Sequence, residues 1–534
     1  MQLSANNIEH IFLIACALYV LVECFACARQ VIAAERGIGR VPEGFCAKLS
    51  LSAHQKAAAY TTEAAQSRLV LAFASTAFSV LMTSAHGLTY FAAFLETLTD
   101  NTLLVEWALV VGVMAMLSLI ELPLDWLSRY RLKERFGYQR RTRSEWLKLT
   151  AGTSTAGWAA ALPAAAVILV LCELAGAWWW LVLWLLYLAR ILWRWRLSLM
   201  QGRLWSRASR PMKNEALRRK LRALLAEEGL HFMDAVLTTR PPAWKHAHVL
   251  LAGSGPSRTV VVFADAAAKL TEEELLAVVA SQAARLKLKH GPWRVALSAL
   301  GGLFICAVLG WASASPEFFD GLGFSPLLTV EQPGSHAGFA MAAALLTFPI
   351  IFFPLRILSN WILRRMRYAA DRSGAARMGG DALARALAKL HRDYSNTLTP
   401  SRFYSLLHYE HPHASMRVAE LLQHMRSRGL EPRLASPVPE APSVLALEQK
   451  IARKTRPSTE APRTLRRKAE NELADELLSR TQWADDDGFA ENDGKTSDAS
   501  AEAAPKAAQG RLPLPQTSSK SSAQATQQED TNHG

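Results

Sequence analysis

Residues 275–290 read LLAVVASQAARLKLKH, and this stretch decides how the chain folds. Thr271 and the three glutamates at 272–274 stand directly before it. Acidic residues in a first turn are a helix N-terminal signature, so the sequence predicts a helix that begins here. That helix carries Ser281, Gln282 and Arg285 and runs towards the next apolar stretch of the chain.

Long apolar stretches indicate a membrane protein. Half of the residues are hydrophobic, and they concentrate in seven runs that approach or exceed the 20 or so residues a bilayer requires. The fourth and fifth runs nearly touch, so they are either a helical hairpin or one poorly resolved span. The seven predicted spans are 9–29, 69–93, 103–121, 157–175, 177–193, 294–313 and 339–358.

The positions of Lys and Arg predict the orientation. Segment 129–148 holds eight of them and loop 314–338 holds none. Basic loops stay in the cytoplasm, so we expect a bacterial-type inner-membrane protein whose N-terminus is outside and whose main soluble segments are cytoplasmic. The net charge of +14 lies largely beside the spans, where it meets anionic lipid. We therefore predict membrane lipids as partners and no nucleic acid.

Between the fifth and sixth spans lies a soluble segment with mixed signals. A charged amphipathic helix is predicted at 214–229, and strands are predicted at 248–252 and 258–264 around a Gly-rich turn. From residue 435 the composition turns to Pro, Ala, Ser and Gln, which is typical of disorder, with one further helix possible at 463–482. The predicted parts are 1–200 (about five spans), 201–293 (a small cytoplasmic α+β domain), 294–358 (two spans), 359–434 (the rest of that domain) and 435–534 (a mostly disordered tail).

Four motifs occur in the order of one known family. The sequence resembles the type I CAAX prenyl proteases, seven-span zinc metalloendopeptidases, and their heat-shock membrane protease relatives. This resemblance implies a mostly α fold, with about seven transmembrane helices around a chamber and a small α+β protease-like domain. The matching pieces are Glu121–Trp126 with Arg135–Tyr138, Thr271–His290, Tyr368-x-Ala370-Asp371, and His411-Pro412 with Arg417.

The departures from the family fall on its zinc site. Its H-E-x-x-H motif supplies two zinc ligands and a general base, and these positions are Ser281, Gln282 and Arg285 here. The third ligand, a Glu before Tyr368, is Arg367. A guanidinium about 4 Å from a dication costs several kcal/mol even at an effective dielectric near 20. We therefore predict no catalytic residue, no metal ligand and no cofactor.

Two replacement roles remain open for the arginines. Arg285 and Arg367 would meet Asp371 in an ion-pair network that takes over the zinc crosslink between two helices. Alternatively, they would form an anion site for a peptide carboxylate or a lipid phosphate, which Arg recognises bidentately.

A peptide-binding strand is also implied by the resemblance. The family's Asn-Ala pair has its nearest match at His246-Ala247, followed by His248 and Leu250. An extended peptide would pair with that strand through its main chain.

The predicted function is that of a catalytically inactive family member, a pseudoprotease. It would bind a peptide, a membrane protein or a lipidated client, or regulate an active protease relative. One alternative is an active membrane metalloendopeptidase with unconventional ligands, which would hold zinc. A second alternative is a lipid-binding or transport role for the chamber.

Overall fold

The computed structural model describes residues 4–45, 49–138, 142–239, 248–324, 337–391, 397–434 and 442–454. Within these ranges the chain is mostly helical and has a single four-stranded sheet. The predicted fold class, a mostly α membrane protein with a small α+β domain, is confirmed.

Helices fill the first two hundred residues. A π-helical segment, Trp126–Arg131, joins the fourth helix to the fifth. The helices are α1 (Ala5–Gly37), α2 (Leu51–Met82), α3 (Gly87–Glu96), α4 (Thr102–Asp125), α5 (Leu132–Arg135), α6 (Arg143–Ala175) and α7 (Trp179–Ala208).

Five helical segments of the described chain are long and apolar enough to cross a membrane, or six if a bent pair counts as one span. One of them, Arg143–Ala208, has 66 residues. It folds back at Gly176, whose φ of 54° suits glycine, and α6 packs against α7. The hairpin alternative is therefore confirmed, and counting it as two spans gives the seven that were predicted.

The bent pair consists of α13 (Ala337–Ile351) and α14 (Phe353–Met378), whose axes differ by 57°. Pro349 lies inside α13, and Pro354 is the second residue of α14. Proline lacks the N–H that continues a helix, which explains the bend. The predicted span 339–358 therefore crosses a bend instead of being one straight helix.

The predicted span 69–93 is wrong at its C-terminal end. Helix α2 ends at Met82, and α3 begins at Gly87. His86 between them has a φ of 60°, a left-handed conformation that no helix continues. A side chain at Gly87 would lie 2.7 Å from the Leu81 carbonyl oxygen, so the tight turn requires glycine.

The α+β domain and the helices that follow complete the described chain. The elements are β1 (Arg210–Pro211), α8 (Glu215–Glu227), β2 (Asp234–Thr238), β3 (Val249–Ala252), β4 (Thr259–Phe263), α9 (Ala264–Lys269), α10 (Glu272–Lys287), α11 (His290–Ser313), α12 (Pro316–Gly321), α15 (Gly380–Leu390), α16 (Arg402–His408), α17 (Ala414–Arg426) and α18 (Val444–Lys454).

The sheet has the strand order β1-β2-β4-β3, with β2 and β4 parallel and the other pairs antiparallel. Strands β3 and β4 confirm the two predicted strands, and the short strand β2 was missed. All five residues of β4 are buried. One face of the sheet belongs to a hydrophobic core shared with α8, α10, α15 and α17, and Trp205 of α7 packs on the other face.

Helix α7 joins the membrane region to the sheet through a close approach of two glycines. A Cβ on Gly202 would lie 2.2 Å from the Ser257 carbonyl oxygen and 2.8 Å from the Cα of Gly253. No side chain fits there, so the end of α7 is held against the β3–β4 connection. The membrane part and the α+β domain therefore share a fixed junction.

The packed domain extends past the predicted boundary at 434. Helix α18 contacts α9, and its Val444 N–H donates to the Leu270 carbonyl at 3.0 Å. The buried carboxylate of Glu448 accepts from the backbone N–H groups of Lys213 and Asn214 at 2.8 Å. This short helix lies inside the segment predicted as mostly disordered. The predicted helix at 463–482 lies outside the described residues.

Candidate functional site

Helix α10 carries three of the four altered positions, and its first turn is firmly capped. The Thr271 hydroxyl accepts from the Glu274 N–H while the Glu274 carboxylate accepts from the Thr271 N–H, a complete capping box. Glu274 is buried and also pairs with Lys389 of α15 at 2.9 Å. The predicted helix start is confirmed, and Ser281 lies two to three turns further along the buried face.

Helix α14 packs directly on α10 at Ser281. A Cβ on Gly374 would lie 2.7 Å from the Ser281 Cα and backbone N, so the two backbones approach as closely as glycine permits. This contact brings Arg367 and Asp371 of α14 to the polar positions of α10. Two motifs about 90 residues apart in the sequence thereby form one site.

Asp371 lies at the centre of a buried polar network. Its Oδ1 accepts from the Ser281 hydroxyl at 2.8 Å. The Arg417 guanidinium donates to both carboxylate oxygens, from Nε to Oδ2 at 2.7 Å and from Nη2 to Oδ1 at 2.8 Å. The carboxylate is thus bonded from α10 and α17 at once, and a bidentate Arg pair is the strongest form of this interaction.

This network corrects the predicted ion pair. Within the described residues neither Arg285 nor Arg367 has a carboxylate within 4.0 Å, and Asp371 pairs with Arg417 instead. The reason is geometric, because the Arg417 guanidinium forms a bidentate pair with Asp371 and donates a hydrogen bond to each carboxylate oxygen. Helix α10 is linked to Asp371 through the Ser281 hydroxyl, so the crosslink between the helices is a hydrogen bond.

Arg285 and Arg367 are half-buried guanidiniums close to each other and to further arginines. Arg285 donates from Nη1 to the Gln282 side-chain oxygen at 3.1 Å. Burial, then the charges of Arg294 and Arg417, lower the pKa of Arg285 to about 10. At neutral pH it stays charged, so the site has a strongly positive character.

His411 belongs to the same cluster. Partial loss of hydration and the charges of four arginines, first among them Arg367, hold the pKa of His411 well below 6.5, although the residue keeps an exposed edge. Just before it in the chain, Glu410 pairs with Arg294 of α11 at 2.6 Å. The predicted C-terminal motif therefore supplies Arg417 to Asp371 and His411 to the cluster, while Pro412 is buried beside them.

Sequence reasoning missed Arg294 and Glu410. They are separated by 116 residues, and neither belongs to a recognised motif. The predicted peptide-binding strand is only partly described. His246 and Ala247 lie outside the described residues, His248 directly precedes β3, and Leu250 is paired with Val261 within the sheet.

The zinc ion that the family resemblance implies does not fit these residues. No group of three or more His, Cys, Asp or Glu side chains that would hold a metal occurs in the part of the chain that the structure describes. The Ser281 hydroxyl is directed to Asp371, and two guanidiniums lie where ligands would be. A dication here would meet repulsion from Arg285 and Arg367.

Comparison with known proteins supports the same family. Residues 31–193 match the model of the CAAX prenyl protease N-terminal region with five membrane helices, and residues 211–425 match that of peptidase family M48. CAAX prenyl protease 1 of Saccharomyces cerevisiae is 22% identical over 325 residues, 58% of this chain and 71% of that protein. The crystal structure of S. mikatae Ste24p has a TM-score of 0.61 at 18% identity, covering 78% of this chain and 99% of that one.

The two family models together span most of the described chain, and residues 194–210, from the second half of α7 to the start of β1, lie between them. The structural similarity extends over the membrane helices and the α+β domain alike. At 18% sequence identity, it supports the fold alone. The chain is an integral multi-pass membrane protein that belongs to the CAAX prenyl protease branch of peptidase family M48, without the H-E-x-x-H motif.

Proposed function

We propose that this protein is a pseudoprotease of the membrane, which binds a client without cleaving it. The observation that carries this proposal is the pairing of Ser281 with Asp371 beside Arg285 and Arg367. None of the four altered positions keeps the residue that the zinc site requires. This holds for both zinc ligand positions of the helix, the base position and the third ligand position. Gln282 at the base position takes no proton at neutral pH, so neither half of the metal-and-base pair that activates water is available.

The client is a peptide, a membrane protein or a lipidated chain, or else an active protease relative that this protein regulates. Strand β3 supports peptide binding, because it lies at the edge of the sheet and its outer main-chain groups have no strand partner among the described residues. An extended chain adds to such an edge by backbone hydrogen bonding. We place the protein in a bacterial-type inner membrane, with its N-terminus outside and the α+β domain in the cytoplasm.

Metal analysis of the purified full chain tests the loss of the zinc site. We expect far less than one zinc per chain after purification without chelator. An active metalloendopeptidase with unconventional ligands would instead retain one zinc and cleave a test peptide in a chelator-sensitive manner. A stoichiometric zinc content combined with that cleavage would overturn the proposal.

Rebuilding the motif tests the scaffold. The variant that combines Ser281→His, Gln282→Glu, Arg285→His and Arg367→Glu restores three ligands and a base to adjacent turns of α10 and α14. We expect it to bind zinc, and cleavage of a peptide would show that only the chemistry is missing. The matched control keeps Arg367, and its retained positive charge should prevent zinc binding.

A role of the chamber in lipid binding or transport makes a different prediction. It requires lipid that copurifies with the chain and no affinity for peptides. Mass spectrometry of the extracted lipid, run beside peptide-binding measurements on the same preparation, separates the two. Peptide affinity together with only bulk membrane lipid supports the pseudoprotease.

A further inference from the structure

A pocket of about 450 Å³ lies between α14 and the segments around α16 and α17. Its wall contains three arginines, Arg364 and Arg365 of α14 and Arg402 of α16. The hydroxyl-bearing residues Thr399 and Ser415 line it as well. The pocket thus combines positive charge with hydrogen-bond donors, which is the chemistry that binds a phosphate group.

Arg364 is the buried arginine of this pocket, with 6% of its surface exposed. Its guanidinium donates to three neutral acceptors, which are the Ser405 hydroxyl at 2.8 Å, the Tyr409 carbonyl oxygen at 3.5 Å and the Met416 sulfur at 3.1 Å. Among the described residues no carboxylate pairs with it. A buried charge without a counter-ion is costly, so an anion in the pocket would offset part of that cost.

The other two arginines of the pocket, Arg365 and Arg402, are exposed and have no carboxylate partner within the described ranges. The Arg365 guanidinium lies over the Trp361 ring, 4.7 Å from its centroid. One carboxylate, that of Glu420, also lines the pocket, but it pairs with Arg372 at 3.2 Å. The pocket therefore has a net positive charge.

An apolar groove of about 530 Å³ lies on the neighbouring face of α14. It is lined by apolar side chains such as Trp293, Ile362 and Met366, and by Arg365. Successive residues of an α-helix are about 100° apart, so the positions of α14 that line the groove and those that line the pocket form two adjacent faces with Arg365 between them. The pocket and the groove together offer a charged and an apolar compartment to one ligand.

Two tryptophans indicate the level of these cavities relative to the membrane. Trp293 directly precedes the predicted span 294–313, and Trp361 follows the predicted span 339–358 by three residues. Both side chains are largely exposed, and tryptophan is enriched where spans meet the lipid headgroups. The pocket and the groove therefore lie near headgroup level, where basic pockets bind acidic lipid headgroups.

We propose that the pocket binds the phosphate of an anionic phospholipid, one acyl chain of which lies in the groove. The guanidiniums donate to the phosphate oxygens, and the lipid holds α14 against α16 and α17 as a structural ligand. This inference goes beyond the proposed function and does not depend on it, because Arg285 and Arg367 line neither cavity.

The test measures lipid binding to the full chain in detergent by native mass spectrometry. Dioleoyl phosphatidylglycerol is compared with dioleoyl phosphatidylcholine, which has the same acyl chains and no net charge. We expect the anionic lipid to have a Kd about tenfold lower. The double variant Arg365→Gln, Arg402→Gln should lose this preference, and its fold should be retained because both side chains are exposed. The control Arg196→Gln removes an exposed arginine of α7 that lines neither cavity, and it should keep the preference.

Equal Kd values for the two lipids, or an unchanged preference in the double variant, would overturn the proposal. Inorganic phosphate that displaces phosphatidylglycerol at a comparable concentration would assign the pocket to free phosphate and overturn the lipid as its ligand. Ala369→Leu fills the groove and should weaken phosphatidylglycerol binding, and an unchanged Kd would overturn the placement of the acyl chain. None of these outcomes bears on the zinc content, so the metal analysis decides the proposed function separately.

Discussion

The site consists of two halves, which differ in whether their charged groups form direct ion pairs. In one half, Asp371 is buried and bonded to Ser281 and to both arms of Arg417. In the other half, Arg285 and Arg367 are half-buried and have no carboxylate partner among the described residues. The first, closed half holds three helices together, whereas the guanidiniums of the second, open half form no direct ion pair within the described residues. One zinc ion would connect the residues of both halves, whereas here only the half around Asp371 connects the helices.

The strongest way to break the comparison is to remove the arginine of the closed half. Arg417→Met leaves the Asp371 carboxylate buried with Ser281 as its one remaining bonded partner. Losing one member of a buried pair costs about 3–5 kcal/mol of unfolding free energy. Denaturant unfolding of the purified chain measures it. The matched control Arg367→Met removes the same charge from the open half, and its stability should be unchanged or higher; equal losses in both variants would contradict the division.

The contact between α10 and α14 provides the next test. In Gly374→Ala the new Cβ would lie 2.7 Å from backbone atoms of Ser281, so the two helices must move apart. Such overpacking costs about 1–3 kcal/mol and should weaken the Ser281–Asp371 bond. Gly157→Ala in α6 is the control, because nothing lies within 4 Å of its added Cβ. There alanine should be neutral or stabilising, and a loss of similar size would show that the α10–α14 contact is not special.

The helix cap is expected to have a smaller effect on the same helix. Thr271→Ala removes the oxygen that accepts the Glu274 N–H and should cost about 1 kcal/mol. Thr271→Ser keeps that oxygen and should retain most of the stability. Thermal unfolding of the two variants side by side checks this. If Ser and Ala behave alike, the capping box contributes nothing measurable to the site.

The pH dependence of stability tests whether His411 is coupled to the charges of the arginines. We expect this to be the smallest effect, because part of the His411 ring is accessible to water. The pKa of His411 in the folded chain lies well below its ordinary value of 6.5. Below pH 6.5 the unfolded chain therefore binds a proton that the folded chain does not, so stability falls as pH falls. His411→Gln should reduce that fall between pH 7 and 5, as should Arg367→Met. Identical pH profiles for all three proteins would exclude this coupling.

Much of this molecule was predictable from local patterns. The apolar runs predicted the spans, because the bilayer requires about 20 apolar residues in a helix that satisfies its own backbone. Thr271 with the glutamates after it predicted the start of α10 through capping chemistry. The end of α2 was less predictable, because apolar sequence continues through the turn at His86 and Gly87. Helix α18 was missed because its neighbours in the sequence are typical of disorder.

The loss of the zinc ligands was likewise visible in the sequence alone, since it depends on which residues stand at four positions and not on their contacts. The partner of Asp371 was not. The sequence analysis offered Arg285 and Arg367 as partners for this carboxylate, and the packing of α17 against α14 supplied Arg417 instead. Likewise, only the folded structure pairs Arg294 with Glu410, which are 116 residues apart. Local periodicity determines helices and spans, whereas the choice among distant charges depends on distances that exist only after the helices have packed.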